Sequence, residues 1–131
     1  MAQLLGSSSG LVHHGCLVVR RADGSGDVSD WDPARAAFYN AGDAVIFGVR
    51  PEVVGSVHVE VWEGVPDQAL EHVLFSGRLD GGVGRIELSD PNNVVSVEFD
   101  SSPEGIAVEV RVDDVSWPGR VQVIVSPDAD R

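Results

Sequence analysis

The sequence predicts an all-β chain, an antiparallel β-sandwich of about eight short strands with one short connecting helix. Valine-rich stretches alternate apolar and polar residues with a period of two, as in Val57-His58-Val59-Glu60-Val61-Trp62 and Ile106-Ala107-Val108-Glu109-Val110-Arg111-Val112. Gly, Pro, Asn and Asp punctuate these stretches at close intervals. The gaps are too short for the crossover helices that a parallel α/β sheet needs.

Each element has its own local reason. The lead-in, Gly6-Ser7-Ser8-Ser9-Gly10, is read as flexible, and Ser126-Pro127-Asp128 as the start of a frayed tail. One domain is expected over residues 11–126, between a loose lead at 1–10 and a tail at 127–131. The first strand is expected over His13 to Arg20, followed by a polar loop, Asp23 to Asp30. A short helix fits Pro33 to Tyr39, with Asp32 as its N-cap and Pro33 at the first helical position. Strands then follow over Ala44–Val49, Val57–Trp62, His72–Arg78, Gly84–Leu88, Val95–Phe99, Ile106–Asp113 and Arg120–Val125. Asp80-Gly81-Gly82 and Trp117-Pro118-Gly119 supply turn signals between them.

Bulk properties narrow the function. The chain has 131 residues, with 21 Asp plus Glu against 9 basic residues, a formal charge of −12. All nine basic residues are arginine. Such a charge repels nucleic acid and anionic lipid and attracts basic partners. No apolar run approaches the roughly 20 residues of a membrane span, and the first ten residues lack a secretory pattern. A soluble cytoplasmic protein is expected. The single cysteine, Cys16, sits in an apolar run and is read as a buried thiol.

Catalytic chemistry is not written in the sequence. There is no nucleophile elbow, phosphate loop, dinucleotide fingerprint or paired-cysteine zinc pattern, and no lysine for Schiff-base chemistry. His13 and His14 are adjacent, so a strand would point them to opposite faces. His58 and His72 are isolated. No catalytic residue, metal ligand or cofactor is therefore assigned. The Asp23–Asp32 loop supports an alternative function, a calcium- or small-ligand-binding β-sandwich module. Its spacing departs from the alternate-acid pattern of calcium loops, and Gly and Asp are also ordinary turn residues. Trp31, Trp62 and Trp117 offer stacking faces for a sugar, set against the usual burial of tryptophan in a small sandwich.

Strand alternation puts Glu60, Glu98, Glu109 and Asp113 outward if the intervening valines face the core. Asp100, Glu104 and Asp114 at strand ends would extend them into an acidic patch. Like charges on neighbouring strands cost about 0.2–1 kcal/mol each, a cost consistent with binding use and equally with a generally acidic surface. Glu60, Glu98, Glu109, Asp113, Asp114, Asp30 and Trp31 are the candidate partner-binding residues.

The stretches His14-Gly15-Cys16-Leu17-Val18-Val19, Asp30-Trp31 and Ala41-Gly42-Asp43-Ala44-Val45-Ile46-Phe47 together resemble the competence protein J family. The resemblance runs from about Val12 to Val49, roughly the first third of the chain. That family includes a small acidic inhibitor of a DNA-entry nuclease. The resemblance implies a non-enzymatic, nuclease-inhibitor or immunity-type protein that blocks a basic DNA-binding groove. Its partner would be a basic protein, a nuclease foremost, with no direct contact to nucleic acid or membrane.

Overall fold

The computed structural model describes residues 2–21, 27–79, 85–100 and 106–127. Ten strands form two five-stranded sheets. They are β1 (Gln3–Gly10), β2 (Cys16–Arg21), β3 (Phe38–Asn40), β4 (Ala44–Gly48), β5 (Val57–Glu63), β6 (His72–Leu79), β7 (Arg85–Ser89), β8 (Ser96–Asp100), β9 (Ile106–Val112) and β10 (Arg120–Pro127). Sheet I has the order β1-β5-β10-β9-β6, and sheet II the order β3-β4-β2-β7-β8.

The alternation read from the sequence sets the register. Val57, Val59 and Val61 of β5, Val108, Val110 and Val112 of β9, and Val121, Val123 and Val125 of β10 face the core. Leu17 and Val19, Val45 and Phe47, Ile86 and Leu88, and Val97 and Phe99 meet them from sheet II. Two apolar faces thus share one dry layer, the standard solution for half-buried strands.

Several expectations change. No helix occurs among the described residues. Asp32 does cap a turn, accepting the Ala34 N–H on Oδ1 at 3.0 Å and the Arg35 and Ala36 N–H groups on its carbonyl. The turn then stops, because Phe38–Asn40 pairs with β4 as Phe38↔Phe47, Tyr39↔Ile46 and Asn40↔Val45. A single isolated turn fixes several dihedrals for few bonds and yields to sheet pairing. The first-expected strand begins at Cys16, because His13-His14-Gly15 forms a turn in which Gly15 adopts φ 66°.

The lead-in expected to be flexible is strand β1, paired antiparallel with β5 from Gln3↔Glu63 to Gly10↔Val57. Its small residues have a packing reason. A Cβ on Gly6 would lie 2.7 Å from Val97 Cγ1 of β8, so only glycine allows β1 to approach the edge of sheet II. The Ser96 N–H donates to Ser8 Oγ across the same seam at 3.2 Å. The opposite seam is aromatic, with Phe38 of β3 and Phe75 of β6 edge-to-face at 5.0 Å. Ser126 and Pro127, expected in a frayed tail, pair with Ala107 and Ile106 as the end of β10. These two extra strands, β1 and β3, raise the expected eight to ten.

The sandwich is not purely antiparallel. β10 pairs parallel with β5, from Arg120↔His58 to Val125↔Glu63. β5 and β6 also run in the same direction, on either side of β10 and β9. The connection at residues 64–71 must therefore return along the length of sheet I. It does so across the outer face as a strap.

Candidate functional site

Three regions hold the residues singled out in the sequence. The first is the end of the sandwich where β2, β5, β6 and β10 begin. Here the loops at 11–15, 49–56 and 113–119 are stitched together by backbone bonds: Val49 N–H to Gly15 O (2.9 Å), Arg50 N–H to Pro118 O (2.9 Å) and His58 N–H to Gly119 O (2.8 Å). Trp31 from the β2–β3 connection and Trp117 from the β9–β10 loop line one cleft of about 510 Å³, together with Pro33, Val115 and Pro118. The indole N–H of Trp31 donates to Ala36 O at 3.1 Å, which fixes its ring. Trp117 is 51 % exposed, Val115 50 % and, in the neighbouring loop, Val53 89 %. Trp117 and Val115 adjoin in one loop and line the cleft together, whereas the other open apolar side chains, such as Val65 and Val73, lie elsewhere.

Carboxylates surround this apolar end. Asp30 and Asp32 are exposed beside Trp31, and Asp113 and Asp114 are exposed in the loop that carries Trp117. Glu52 is held at 2.6 Å from His13 Nδ1. Two of the acids also build the loop. Asp114 Oδ1 accepts the Ser116 and Trp117 N–H groups, and Asp113 Oδ1 accepts those of Gly119 and Arg120. Burial pushes the Asp113 carboxyl up, but the Arg120 and Gly119 N–H bonds and the nearby Arg50 charge outweigh it and hold the group below its ordinary value. Arg50 itself fits because residue 119 is glycine: a Cβ there would overlap its guanidinium. Trp31 thus shares a cleft with the loop that carries Asp113, Asp114 and Trp117, although the two segments are far apart in sequence.

The second region is the outer face of sheet I. Glu60 points outward as expected but is not a free surface acid. Its Oε1 accepts the Trp62 indole N–H at 2.9 Å and the Gln122 amide at 3.3 Å, and Oε2 lies 3.6 Å from His58 Nε2. The Trp62 bond, aided by those from Gln122 and His58, holds the Glu60 carboxyl below its ordinary value against the effect of burial. Glu109 is similarly engaged, by an ion pair with Arg111. The strap at 64–71 is clasped onto this face by Gln122, which accepts the Leu70 N–H at 2.7 Å and donates to Gln68 O at 3.3 Å. Arg111 adds a bond to Leu70 O at 3.1 Å. Gln122 is consequently buried, as is the outward-facing Ile124. Between strap and sheet lies a second cleft, about 890 Å³, lined by Glu60, Trp62, Pro66, Asp67, Arg120 and Gln122 among others.

His58 is not isolated, as the sequence had suggested. Its Nδ1 lies 2.6 Å from Ser9 Oγ of β1 and its Nε2 faces Glu60. Neither Ser9 nor His58 lines the cleft, so this hydroxyl–imidazole–carboxylate row ties the edge strand β1 to β5.

The third region separates Glu98 from the rest. It lies on β8, alternating with core residues Val97 and Phe99, and so faces outward from sheet II, on the opposite side of the sandwich from Glu60 and Glu109. Arg85 sits 3.2 Å away. The acids expected to form one patch therefore divide among two broad faces and one end. Asp100 is on the Glu98 face, and Glu104 lies outside the described residues.

The loop considered for calcium is described only from Asp27 onward, residues 22–26 lying outside the described set. Asp27 Oδ1 accepts the Ser29 N–H, and these bonds lower its carboxyl's proton affinity. Asp32 is occupied in its own turn. Among the described residues, no three His, Cys, Asp or Glu side chains converge on a metal position. Asp90, a buried carboxylate the sequence did not single out, is consumed by the β7–β8 turn, accepting the Asn92 and Val95 N–H groups. Cys16 is buried, as expected, and burial together with the Asp90 charge raises its thiol pKa.

Gln122 and Arg120 are the residues that sequence reasoning passed over. Alternation with the buried Val121 and Val123 is the signal that could have put them on the outer face; Gln122 is covered there by the strap, whereas Arg120 stays exposed at the cleft.

Comparison with protein-family models and with curated proteins yields no match. Among solved structures the fold has full-length counterparts. One is ComJ from Bacillus subtilis, an inhibitor of the DNA-degrading activity of NucA; it matches with a TM-score of 0.63 at 10% identity, covering 97% of this chain and 98% of its own. Another is the product described as crocagin biosynthetic gene J, with a TM-score of 0.57 at 12% identity, covering 98% and 99%. The likeness is thus not confined to the first third of the chain, as the short sequence motifs had implied. At these identities it establishes a shared two-sheet fold, and function has to be argued from the surface.

Proposed function

We propose that this protein is a non-enzymatic, inhibitor-type module that binds a basic protein, a nuclease foremost, through the end of the sandwich carrying Trp31 and Trp117. The observation that carries the reading is the juxtaposition there of exposed apolar side chains with a rim of carboxylates. Interface hot spots have this anatomy, with aromatic anchors at the centre and charges around them that steer approach. Asp30, Asp113 and Asp114 are the rim, and Trp117, Val115 and Val53 the anchors beside Trp31. Glu60, Glu98 and Glu109 act at longer range, as contributors to the net field of −12 charges. The full-length fold likeness to a nuclease inhibitor supports the class of partner. In this reading the protein works in the cytoplasm, blocks a phosphate-binding groove without touching nucleic acid, and uses no cofactor.

The test uses NucA as the probe nuclease, with DNA degradation and biolayer interferometry as readouts. Trp117→Ala combined with Val115→Ser should weaken binding at least about tenfold, mainly through faster dissociation. Asp113→Asn with Asp114→Asn should mainly slow association, and that effect should fade in high salt. The reading fails if the folded protein neither binds nor inhibits at about 10 μM, or if the Trp117 variant binds as tightly as the parent.

A further inference from the structure

The cleft on the outer face of sheet I carries a second inference, independent of the first. We infer that it binds a compact zwitterion, its cationic group at Glu60 and Asp67, its carboxylate at Arg120, and its hydrocarbon stem against Trp62.

Arg120 is exposed at the cleft. In a chain with more than twice as many acids as bases, several arginines lie against a carboxylate: Arg20 pairs with Glu87, Arg35 with Asp32, Arg85 with Glu98 and Asp100, and Arg111 with Glu109. The Arg120 guanidinium has no ion pair or hydrogen bond among the described residues, although its strand neighbours Glu60 across a diagonal of about 7–8 Å. Glu60 does not turn to it because Trp62 and Gln122 hold Oε1 on the floor of the cleft. Opposite charges are thus kept apart on one concave surface, with an indole ring also lining it.

Ligand class follows from what this lining rejects. A simple anion would meet Glu60 and Asp67. A simple cation would meet Arg120. An apolar molecule would strip water from three charged groups without replacing it. A molecule bearing both charges, separated by a few methylenes, satisfies all three, and its stem and cation both gain from an aromatic face. The volume, about 890 Å³, is in the range of small-molecule sites. The bond from Trp62 also keeps Glu60 ionised to lower pH than an ordinary glutamate.

The probe is 4-guanidinobutyrate, with butylguanidine and valerate as its two half-molecules. Titration calorimetry should give saturable binding of 4-guanidinobutyrate, and each half-molecule should bind at least about tenfold more weakly. Arg120→Gln and Glu60→Gln should each cost about tenfold; the first alters a side chain with no ion pair or hydrogen bond among the described residues, and the second retains an acceptor for Trp62 and Gln122. In NMR spectra the Trp62 indole N–H signal should shift on titration, while those of Trp31 and Trp117 stay in place. The inference is overturned by absence of binding at about 20 mM, by half-molecules that bind as well as the whole, by full affinity in Arg120→Gln, or by shifts at Trp31 or Trp117 instead. NucA inhibition by Arg120→Gln should equal that of the parent, which separates this result from the fate of the proposed partner contact.

Discussion

The two outer faces of the sandwich handle charge in opposite ways. On sheet II, Arg20 meets Glu87 at 3.3 Å, and Arg85 bridges Glu98 at 3.2 Å and Asp100 at 3.8 Å. Glu87 and Glu98 lie directly opposite each other in the register, and the flanking arginines offset that repulsion. This face is a cross-strand charge ladder, whose pairs hold a sheet in register at modest energy. On sheet I the strap at 64–71 changes the rules. It covers Gln122, whose amide also bonds Glu60, and forms with the sheet a cleft lined by Glu60, Trp62 and Arg120. Acidic residues alone therefore do not mark function. The informative sign is a charge that the fold has had the opportunity to neutralise and has not.

Three substitutions sharpen this contrast, in decreasing order of effect. Gln122→Ala should cost about 2–4 kcal/mol, because it leaves the Leu70 N–H and Gln68 carbonyl without their partners beneath the strap. Denaturant unfolding would measure the loss, and hydrogen exchange should show the Leu70 amide losing protection while sheet II amides keep theirs relative to global stability. An unchanged midpoint would mean that Gln122 is not the clasp.

The second perturbation is pH. Glu60 has a lowered folded-state pKa, so its contribution to stability is present above the unfolded value of about 4.3. It is lost as pH falls through the lower folded value. Glu60→Gln removes that dependence. Urea midpoints of parent and variant should differ most near pH 6 and converge toward pH 3, with a residual acid slope from Asp113, whose shift has the same sign. Parallel curves would show that Glu60 titrates as a free carboxyl.

The smallest effect is expected on the other face. Arg85→Ala should cost less than about 1 kcal/mol, since its side chain is 56% exposed and its pairs are screened. The cost should shrink further in about 1 M salt. A loss comparable to that of Gln122→Ala would erase the distinction between the faces.

Much of this fold was legible because period-two alternation is a direct record of two-sided burial. Val57 to Trp62 and Ile106 to Val112 could be read residue by residue, and their outward glutamates with them. What escaped was structure whose cause lies elsewhere in the chain. Gly6 to Gly10 looks like a linker until Val97 is seen to need the space. Phe38–Asn40 is too short to show a period, and it is held by pairing to β4 and by the Phe75 ring. The parallel β5–β10 pair leaves no local trace at all.

The site divides along the same line. That Glu60, Glu98 and Glu109 face outward follows from alternation. Their separation onto two faces follows from strand order, which alternation does not encode. Trp31 and the 113–114 acids meet at one end only because the β2–β3 connection and the β9–β10 loop arrive there together.

The place of β10 has a consequence for how the molecule is made. It is the middle plank of sheet I and lies C-terminal to every other strand in the fold. The N-terminal pair β1–β5 can join β9 and β6 only through it. That half of sheet I therefore gains its in-sheet neighbour only from the last strand of the chain's described residues. Sheet I is thus closed by pairings between residues about sixty positions apart, such as Arg120 with His58, the kind of long-range contact that slows folding.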